Sequence, residues 1–162
     1  SVFARSLSIF DPETMRTWKR DCMREVDIVS GCFLLIPREL WAHLGGFDAS
    51  FDMYGEDFDL CLRAAKVSAK RLLCPEAQII HYGSASESVK ADQLVRQMRA
   101  KTRLMRKHWS SLSFAIGRIL LSMRVLSRGY VGMFSLRPDQ ARKATAEAWR
   151  GAWHRREEWL RP

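Results

Sequence analysis

The sequence predicts an α/β segment that is followed by a helical tail. Three observations support this fold class. Residues 26–36 are rich in β-branched and aromatic side chains, acidic residues directly precede helix-forming residues at 56–65, and a helical pattern runs from about Val89 to the end. With 162 residues and 47% hydrophobic side chains, the chain is long and apolar enough to bury a core, which excludes a disordered segment.

The first part of the chain predicts one buried strand between two short segments. Residues 11–24 begin with an Asp-Pro pair and predict a surface helix or an ordered loop. Residues 26–36 predict a largely buried strand that contains Gly31. The proline that follows ends this strand and begins the short helix Arg38–Leu44, which Gly45-Gly46 terminate.

The next part predicts a helix and two further strands. Residues 47–55 form a loop, and the acidic residues after it begin a helix. Its charge order, acids first and Arg63 near the end, complements the helix dipole. Two short strands are predicted at Arg71–Cys74 and Ala77–His81, before a small polar loop at 83–88.

The net positive charge of the chain comes entirely from its C-terminal part. The net charge is +9, but residues 1–95 carry 11 basic and 14 acidic side chains, whereas residues 96–162 carry 16 basic and 4 acidic ones. Such a basic segment attracts anionic surfaces, either phospholipid headgroups or nucleic acid. No run of about 18 uncharged apolar residues is present, so the sequence predicts no simple membrane-spanning helix.

Three carboxylates within four positions, Glu56, Asp57 and Asp59, are the densest chemical feature of the sequence. Asp59 and Arg63 are four residues apart and are predicted to pair on one helix face. Glu56 and Asp57 then stand at the junction of loop and helix, where an ionised carboxylate is favoured and can act as a general base. From these residues alone, a capped helix with a surface ion pair is as well supported as catalysis.

The order of the motifs adds information that single motifs lack. Five segments follow one another: Val26-Asp27 with Ser30-Gly31-Cys32-Phe33-Leu34-Leu35-Ile36-Pro37-Arg38, then Gly45-Gly46-Phe47-Asp48, Tyr54-Gly55-Glu56-Asp57-Phe58-Asp59-Leu60-Cys61-Leu62-Arg63, Pro75-Glu76-Ala77 with His81, and Lys107-His108-Trp109. This set resembles the C-terminal half of a family-two, GT-A-type glycosyltransferase, in particular the bacterial rhamnosyltransferase-like branch. The resemblance covers roughly residues 24–110, weakens through the tail, and implies the C-terminal part of a Rossmann-like GT-A fold.

The resemblance implies an inverting sugar transfer and a catalytic base. In such enzymes the second acid of the Glu-Asp pair is the base, and that residue is Asp57 here. It takes the proton from an acceptor hydroxyl as the oxygen attacks the anomeric carbon of a nucleotide-sugar, and the acceptor is a glycan or a lipid-linked glycan. The resemblance also implies a divalent metal, Mg²⁺ or Mn²⁺, at the departing diphosphate, and His81 stands where related enzymes place a histidine ligand.

Three further residues are implied to contact substrates. In the family, the glycine that corresponds to Gly31 lies beside the donor sugar, where a side chain would clash. Asp48 and Glu56 are candidates for contacts with sugar hydroxyl groups. Each residue has a structural alternative: a strand bulge for Gly31, a turn for Asp48 and helix capping for Glu56.

Two departures from the family pattern affect the interpretation. The family usually has two aromatic residues before its Met-Tyr-Gly segment, whereas Phe51 is followed by Asp52 in this sequence. The family's nucleotide-binding strands and its Asp-x-Asp metal motif precede the segment seen here, and nothing before Val26 supplies them. We therefore expect residues 1–110 to be the acceptor and catalytic-base half of the enzyme, a fragment that is inactive alone.

Residues 111–162 predict a basic amphipathic helical tail. Helices are expected near 89–108, 111–129 and 138–160. At 100° per residue, the middle helix places Arg118, Arg124 and Arg128 opposite an apolar stripe that comprises Leu112, Ile116, Ile119, Leu120, Met123, Leu126, Tyr130 and Phe134. Such a stripe suits a membrane interface, and packing on the enzyme's own core is the competing explanation.

These features predict the partners and the location. We expect a cytoplasmic protein that contacts the anionic inner face of the cell membrane through its tail. Nucleic acid is not an expected partner, because binding it requires basic residues that are interleaved with aromatic platforms on one face. The alternatives to an enzyme fragment are a basic helical binding module and an inactive glycosyltransferase homologue.

Overall fold

The computed structural model describes residues 18–80, 90–131 and 140–161. Within these residues the chain is mostly helical and has one small sheet. In chain order the elements are β1 Arg24–Glu25, α1 Arg38–Leu44, α2 Glu56–Lys66, β2 Leu72–Leu73, α3 Ala91–His108, α4 Ser111–Val131, α5 Gln140–His154 and α6 Arg156–Leu160.

The sheet joins the beginning of the described chain to the segment after α2. β1 and β2 pair in antiparallel orientation, with Arg24 opposite Leu73. The Val26 amide extends the pairing by donating to the Arg71 carbonyl over 2.8 Å, and the Arg71 guanidinium donates to the Val26 carbonyl in return. The strand predicted at Arg71–Cys74 is therefore present at its centre.

The strand predicted at residues 26–36 is wrong, because this segment is irregular throughout. Phe33 and Leu35, which the prediction placed in a largely buried strand, are 52% and 96% exposed. A strand needs a neighbouring backbone for its amides and carbonyls. Here the amides of Val29 and Gly31 donate instead to side chains of α2, so the apolar pattern does not produce a paired strand.

One other predicted element also differs from the structure, because residues 77–80, the described part of the predicted strand Ala77–His81, are irregular. Residues 18–23 form no helix, which agrees with the ordered-loop alternative for residues 11–24. Residues 11–17 and His81 lie outside the described part of the chain. Because the sheet in the described residues has only two strands, the larger sheet of a GT-A fold stays a prediction.

The helices α1 and α2 begin and end close to where the sequence predicts. α1 follows Pro37 and ends at Gly45 and Gly46, whose φ angles of 76° and 71° lie in the left-handed region that glycine tolerates best. α2 begins directly after Gly55, which has a φ angle of 89°. These turns fix the position of the acidic start of α2.

The three helices predicted from residue 89 onward are present as α3, as α4, and as α5 with α6, which a break at Arg155 separates. These helices share one core, formed by Leu94, Val95, Met98, Leu121, Val125, Ala148, Trp149, Ala152 and Trp159. Trp159 is fully buried, and its indole Nε1 donates to the Ala152 carbonyl over 2.8 Å, which fixes α6 against α5. Residues on both sides of position 110 therefore contribute to one core.

α4 has two apolar faces, and only one of them packs on this core. The packed face includes Leu121 and Val125, and two glycines on the same side allow close approach of neighbouring side chains. The opposite face is exposed and consists of Leu112, Ile116, Ile119, Leu120, Met123 and Tyr130, with exposed fractions between 47% and 73%. We call these six residues the α4 apolar face. Six of the eight residues of the predicted stripe thus form an exposed face that does not pack on the core, whereas Leu126 is half-buried and Phe134 lies outside the described residues.

None of the helices in the described ranges combines the length and the apolar character that crossing a membrane requires. The helix α4, which carries the α4 apolar face, also contains three arginines.

Candidate functional site

The Asp57 carboxylate is held by backbone amides from two separate segments. Asp57 is the second residue of α2 and is half-buried. Its Oδ2 accepts a hydrogen bond from the Gly31 amide at 2.8 Å, and its Oδ1 accepts one from the Phe58 amide at 2.8 Å. An ionised carboxylate has about four acceptor positions, so two remain for a substrate hydroxyl.

Gly31 lies directly against this carboxylate. A Cβ atom built on Gly31 would be 3.2 Å from the Asp57 Cβ, which is closer than most such contacts, and at an ordinary contact distance of 3.5 Å from its Oδ2. A side chain at position 31 would therefore crowd Asp57, a reason for glycine that the sequence did not reveal. The structure brings together these two predicted site residues, which are 26 positions apart.

Glu56 supplies an unused acceptor beside the base. Its Oε2 atom is buried and has no hydrogen-bond partner in the described part of the chain. A buried acceptor without a donor is costly and calls for a bound donor. The capping alternative predicted for Glu56 gains no support, because the helix start shows no side-chain capping bond.

Asp59 is the centre of a buried ion-pair network that joins α2 to the end of α3. Its carboxylate has no exposed surface and accepts from Arg63 at 2.7 Å, which confirms the predicted pair. The same carboxylate contacts the Lys107 ammonium at 2.7 Å and the His108 Nε2 at 2.8 Å. Arg63 also donates to the carbonyls of Leu44 and Gly46, so the network includes the end of α1.

The charges in this network stabilise one another. Burial by itself raises the pKa of the Asp59 carboxyl, but hydrogen bonds from Lys107, His108 and Arg63 outweigh it, so the pKa lies below its ordinary value. For Lys107, burial lowers the pKa of the ammonium, and its bonds to Asp48 and Asp59 raise the pKa overall. Asp59 and Lys107 are therefore both ionised at neutral pH.

Asp48 is engaged by protein groups in this structure. Its Oδ2 lies 2.6 Å from the Lys107 ammonium and its Oδ1 accepts from the Ser50 amide at 2.8 Å. The bond from Lys107 and the bond from Ser50 hold the pKa of the Asp48 carboxyl far below its ordinary value. This geometry favours the turn alternative for Asp48, while its predicted contact with a sugar stays a prediction.

The contacts of Lys107 and His108 with Asp59 were not predicted from the sequence. Both residues belong to the last motif of the resemblance, but no local pattern links His108 to Asp59, which lies 49 positions earlier. The contacts that Asp48 and Asp59 make with the Lys107-His108 pair become apparent only when the helices are packed together.

The predicted metal ligand His81 lies outside the described residues. Within the described ranges, no group of three or more His, Cys, Asp or Glu side chains is placed to hold a metal ion. The described residues therefore do not by themselves fit a metal site.

Residues 6–103 match the family described as Glycosyltransferase like family 2. An N-acetylglucosaminyl-diphospho-decaprenol L-rhamnosyltransferase of Mycobacterium tuberculosis is 36% identical over 63 residues, which are 39% of this chain and 20% of that protein. Rhamnosyltransferase WbbL of Escherichia coli is 37% identical over 57 residues, which are 35% of this chain and 22% of that protein.

The matched part spans only about a fifth of the length of these curated relatives. No solved structure matches the chain.

Proposed function

We propose that this chain has a specific role in sugar transfer. The chain belongs to the Glycosyltransferase like family 2, and its motifs predicted this family. In this proposal the segment positions the acceptor and carries the base of an inverting glycosyltransferase. The observation that supports it best is the Asp57 carboxylate, held at a helix start by the Gly31 and Phe58 amides with acceptor positions left over.

The proposed reaction is a single displacement at the anomeric carbon. The acceptor hydroxyl oxygen forms the new bond to that carbon as the bond to the nucleoside diphosphate oxygen breaks. The bonding electron pair leaves with the diphosphate, and the hydroxyl proton passes to the Asp57 carboxylate. Because the oxygen attacks from the face opposite the leaving group, the anomeric configuration inverts.

Neighbouring residues have supporting roles in the proposal. The orphaned Oε2 of Glu56 accepts a hydrogen bond from a sugar hydroxyl, and Gly31 leaves room between the donor sugar and Asp57. The Asp48 carboxylate contacts a sugar hydroxyl only through the oxygen positions that Lys107 and Ser50 leave unused. No step is assigned to a metal ion; Mg²⁺ or Mn²⁺ bound through His81 stays a prediction from the resemblance.

The substrates are proposed by class. The donor is a nucleotide-sugar, as the family implies, and a rhamnosyl donor is favoured by the names of both relatives. The printed name of the mycobacterial relative specifies a diphospho-decaprenol acceptor. We therefore propose a lipid-linked glycan acceptor for the whole protein to which these residues belong.

The contact between Gly31 and Asp57 can be tested by Gly31→Ala. The added methyl group forces the Asp57 side chain away by a few tenths of an ångström, and small misplacements of a catalytic group are costly. We expect turnover by the whole protein to fall by about tenfold or more. The free energy of unfolding should change by less than about 1 kcal/mol, because Gly31 lies outside the left-handed region.

Gly45→Ala is the matched control. Gly45 has a φ angle of 76° and open space around its Cβ position, so this change should lower stability and leave turnover unchanged. Native turnover by Gly31→Ala would show that the close contact has no role in the reaction.

A second part of the proposal concerns location: the protein works on the anionic inner face of the cytoplasmic membrane. The α4 apolar face is unpacked, and α4 contains three arginines and no acidic residue. This charge complements an anionic surface, and the apolar side chains suit the acyl boundary beneath the headgroups.

Flotation with lipid vesicles tests this docking surface. The full chain should bind vesicles of phosphatidylcholine with phosphatidylglycerol, and more weakly as salt rises. The double variant Ile119→Gln with Leu120→Gln should weaken binding by about tenfold or more, since each buried side chain of this size contributes about 1.5–3 kcal/mol. Leu35→Gln, at a residue that is 96% exposed elsewhere, is the control and should bind normally. Equal binding by the double variant would mean that α4 is not the docking surface.

A further inference from the structure

A cleft lies where the end of α3, the start of α4 and the C-terminal end of α6 meet. Its volume is about 430 Å³, and its lining residues are Arg106, Trp109, Ser111, Phe114, Arg118, Leu160 and Arg161. We call it the arginine cleft. It contains none of the residues assigned to sugar transfer above.

The lining of the arginine cleft is cationic. Three lining residues are arginines, and none of the described residues that line it is acidic. Arg118 carries a further indication, because its Nε atom is buried and has no hydrogen-bond partner among the described residues. An unsatisfied cationic donor of this kind is typical of a position that an anion completes.

A neighbouring cleft shows the contrasting arrangement. It is lined by Arg96, Arg99 and Arg155 together with Asp92 and Glu158. There Arg155 pairs with both acids and Arg99 lies 4.0 Å from Glu158, so the cationic charge is largely neutralised by the protein. The linings of the two clefts differ in the presence of carboxylates, and the unpartnered Nε atom of Arg118 belongs to the cleft that has none.

Packing fixes the walls of the arginine cleft. The Trp109 ring lies over Gly117 so closely that an added Cβ would be 2.6 Å from its ring carbon. The Arg118 guanidinium lies 5.5 Å from the centre of the Phe114 ring, a cation–π contact that orients it. The cleft therefore joins oriented cationic donors to aromatic surface, on the same helix that carries the α4 apolar face.

We propose that the arginine cleft binds a phosphate or diphosphate ester. Guanidinium groups match phosphate oxygens with paired hydrogen bonds, and the tryptophan and phenylalanine rings suit the organic group attached to the ester. The ester belongs either to a membrane lipid or lipid-linked molecule, or to a soluble diphosphate. The proposal does not depend on Asp57 or on sugar transfer, so its success or failure is independent of the proposed reaction.

Calorimetric titration of the full chain with sodium pyrophosphate at low salt is the test. We expect binding that Arg118→Gln weakens by about tenfold or more, because a charge-assisted hydrogen bond is lost. Arg38→Gln is the matched control, since it removes the same charge from an exposed position outside both the cleft and α4. If Arg118→Gln fails to fold, Arg161→Gln at the exposed chain end replaces it, with the same expected loss.

Flotation with phosphatidylcholine vesicles, with and without phosphatidic acid, identifies the source of the ester. Loss of phosphatidic acid binding in the cleft variant, with Arg38→Gln near native, assigns the cleft to a lipid phosphate. Loss of pyrophosphate binding alone assigns it to a soluble diphosphate. The proposal is overturned if pyrophosphate and phosphatidic acid both fail to bind, or if the cleft variant and Arg38→Gln weaken binding equally.

Discussion

Asp57→Asn is expected to reduce turnover by about 10²–10⁴-fold, the usual contribution of general base catalysis. The amide keeps the size of the carboxylate, and its oxygen still accepts a hydrogen bond from the Gly31 amide at the same place. What it loses is the basic oxygen that receives the acceptor hydroxyl proton. The measurement is acceptor-dependent sugar transfer by the whole protein, with donor affinity determined in parallel and expected to change little.

Asp21→Asn is the matched control for this experiment. Asp21 is exposed, so the variant loses the same charge without touching the site and should turn over normally. Near-native transfer by Asp57→Asn, combined with loss of transfer in a folded Asp59→Asn protein, would move the base from Asp57 to Asp59.

The position of Asp57 was predictable because its determinants are local. A glycine with positive φ precedes the acids, and helix-forming residues follow them, so the helix has to begin at this place. The pair Asp59–Arg63 follows from the same helix, since residues four apart share a face. Both predictions depend on spacing along one element and on nothing beyond it.

The irregular segment 26–36 shows where local pattern is insufficient. β-branched and aromatic residues favour a strand, but a strand forms only where another backbone supplies partners. Here the Asp57 carboxylate and the Cys61 thiol take the Gly31 and Val29 amides instead. That competition depends on how α2 packs against the segment, which composition does not encode.

The two faces of α4 show a second limit. Periodicity finds the side with large apolar residues, and that side is the exposed one. The packed side includes Gly117 and Gly129, which add little hydrophobicity but let Trp109 and Arg150 approach closely. A helix face that packs through small residues is weak in a hydrophobicity pattern, so the sequence indicated the apolar stripe as a membrane surface but did not identify the face that packs on the core.

Asp59→Asn is expected to lower the free energy of unfolding by about 3–5 kcal/mol, the typical cost of removing one partner from a buried ion pair. Asp59 has no exposed surface, and the change leaves Arg63 and His108, whose side chains are 19% and 5% exposed, without their carboxylate. Lys107 retains Asp48, which places the loss toward the lower end of that range. Urea denaturation of the full chain, followed by circular dichroism, measures it.

Acidification provides an independent check on the Asp59 prediction. The folded pKa of Asp59 lies below the ordinary value of 3.8, so its stabilising contribution is complete above that pH and is lost as pH falls through the folded pKa. The difference in stability between the native protein and Asp59→Asn should therefore narrow below about pH 4.

Asp48→Asn removes a carboxylate that binds the same Lys107 but is 29% exposed, so it should cost less than about 1 kcal/mol. Equal losses of unfolding free energy in Asp59→Asn and Asp48→Asn would mean that burial of the Asp59 charge does not hold α2 to the end of α3. The same conclusion would follow if the stability difference between the native protein and Asp59→Asn did not change with pH.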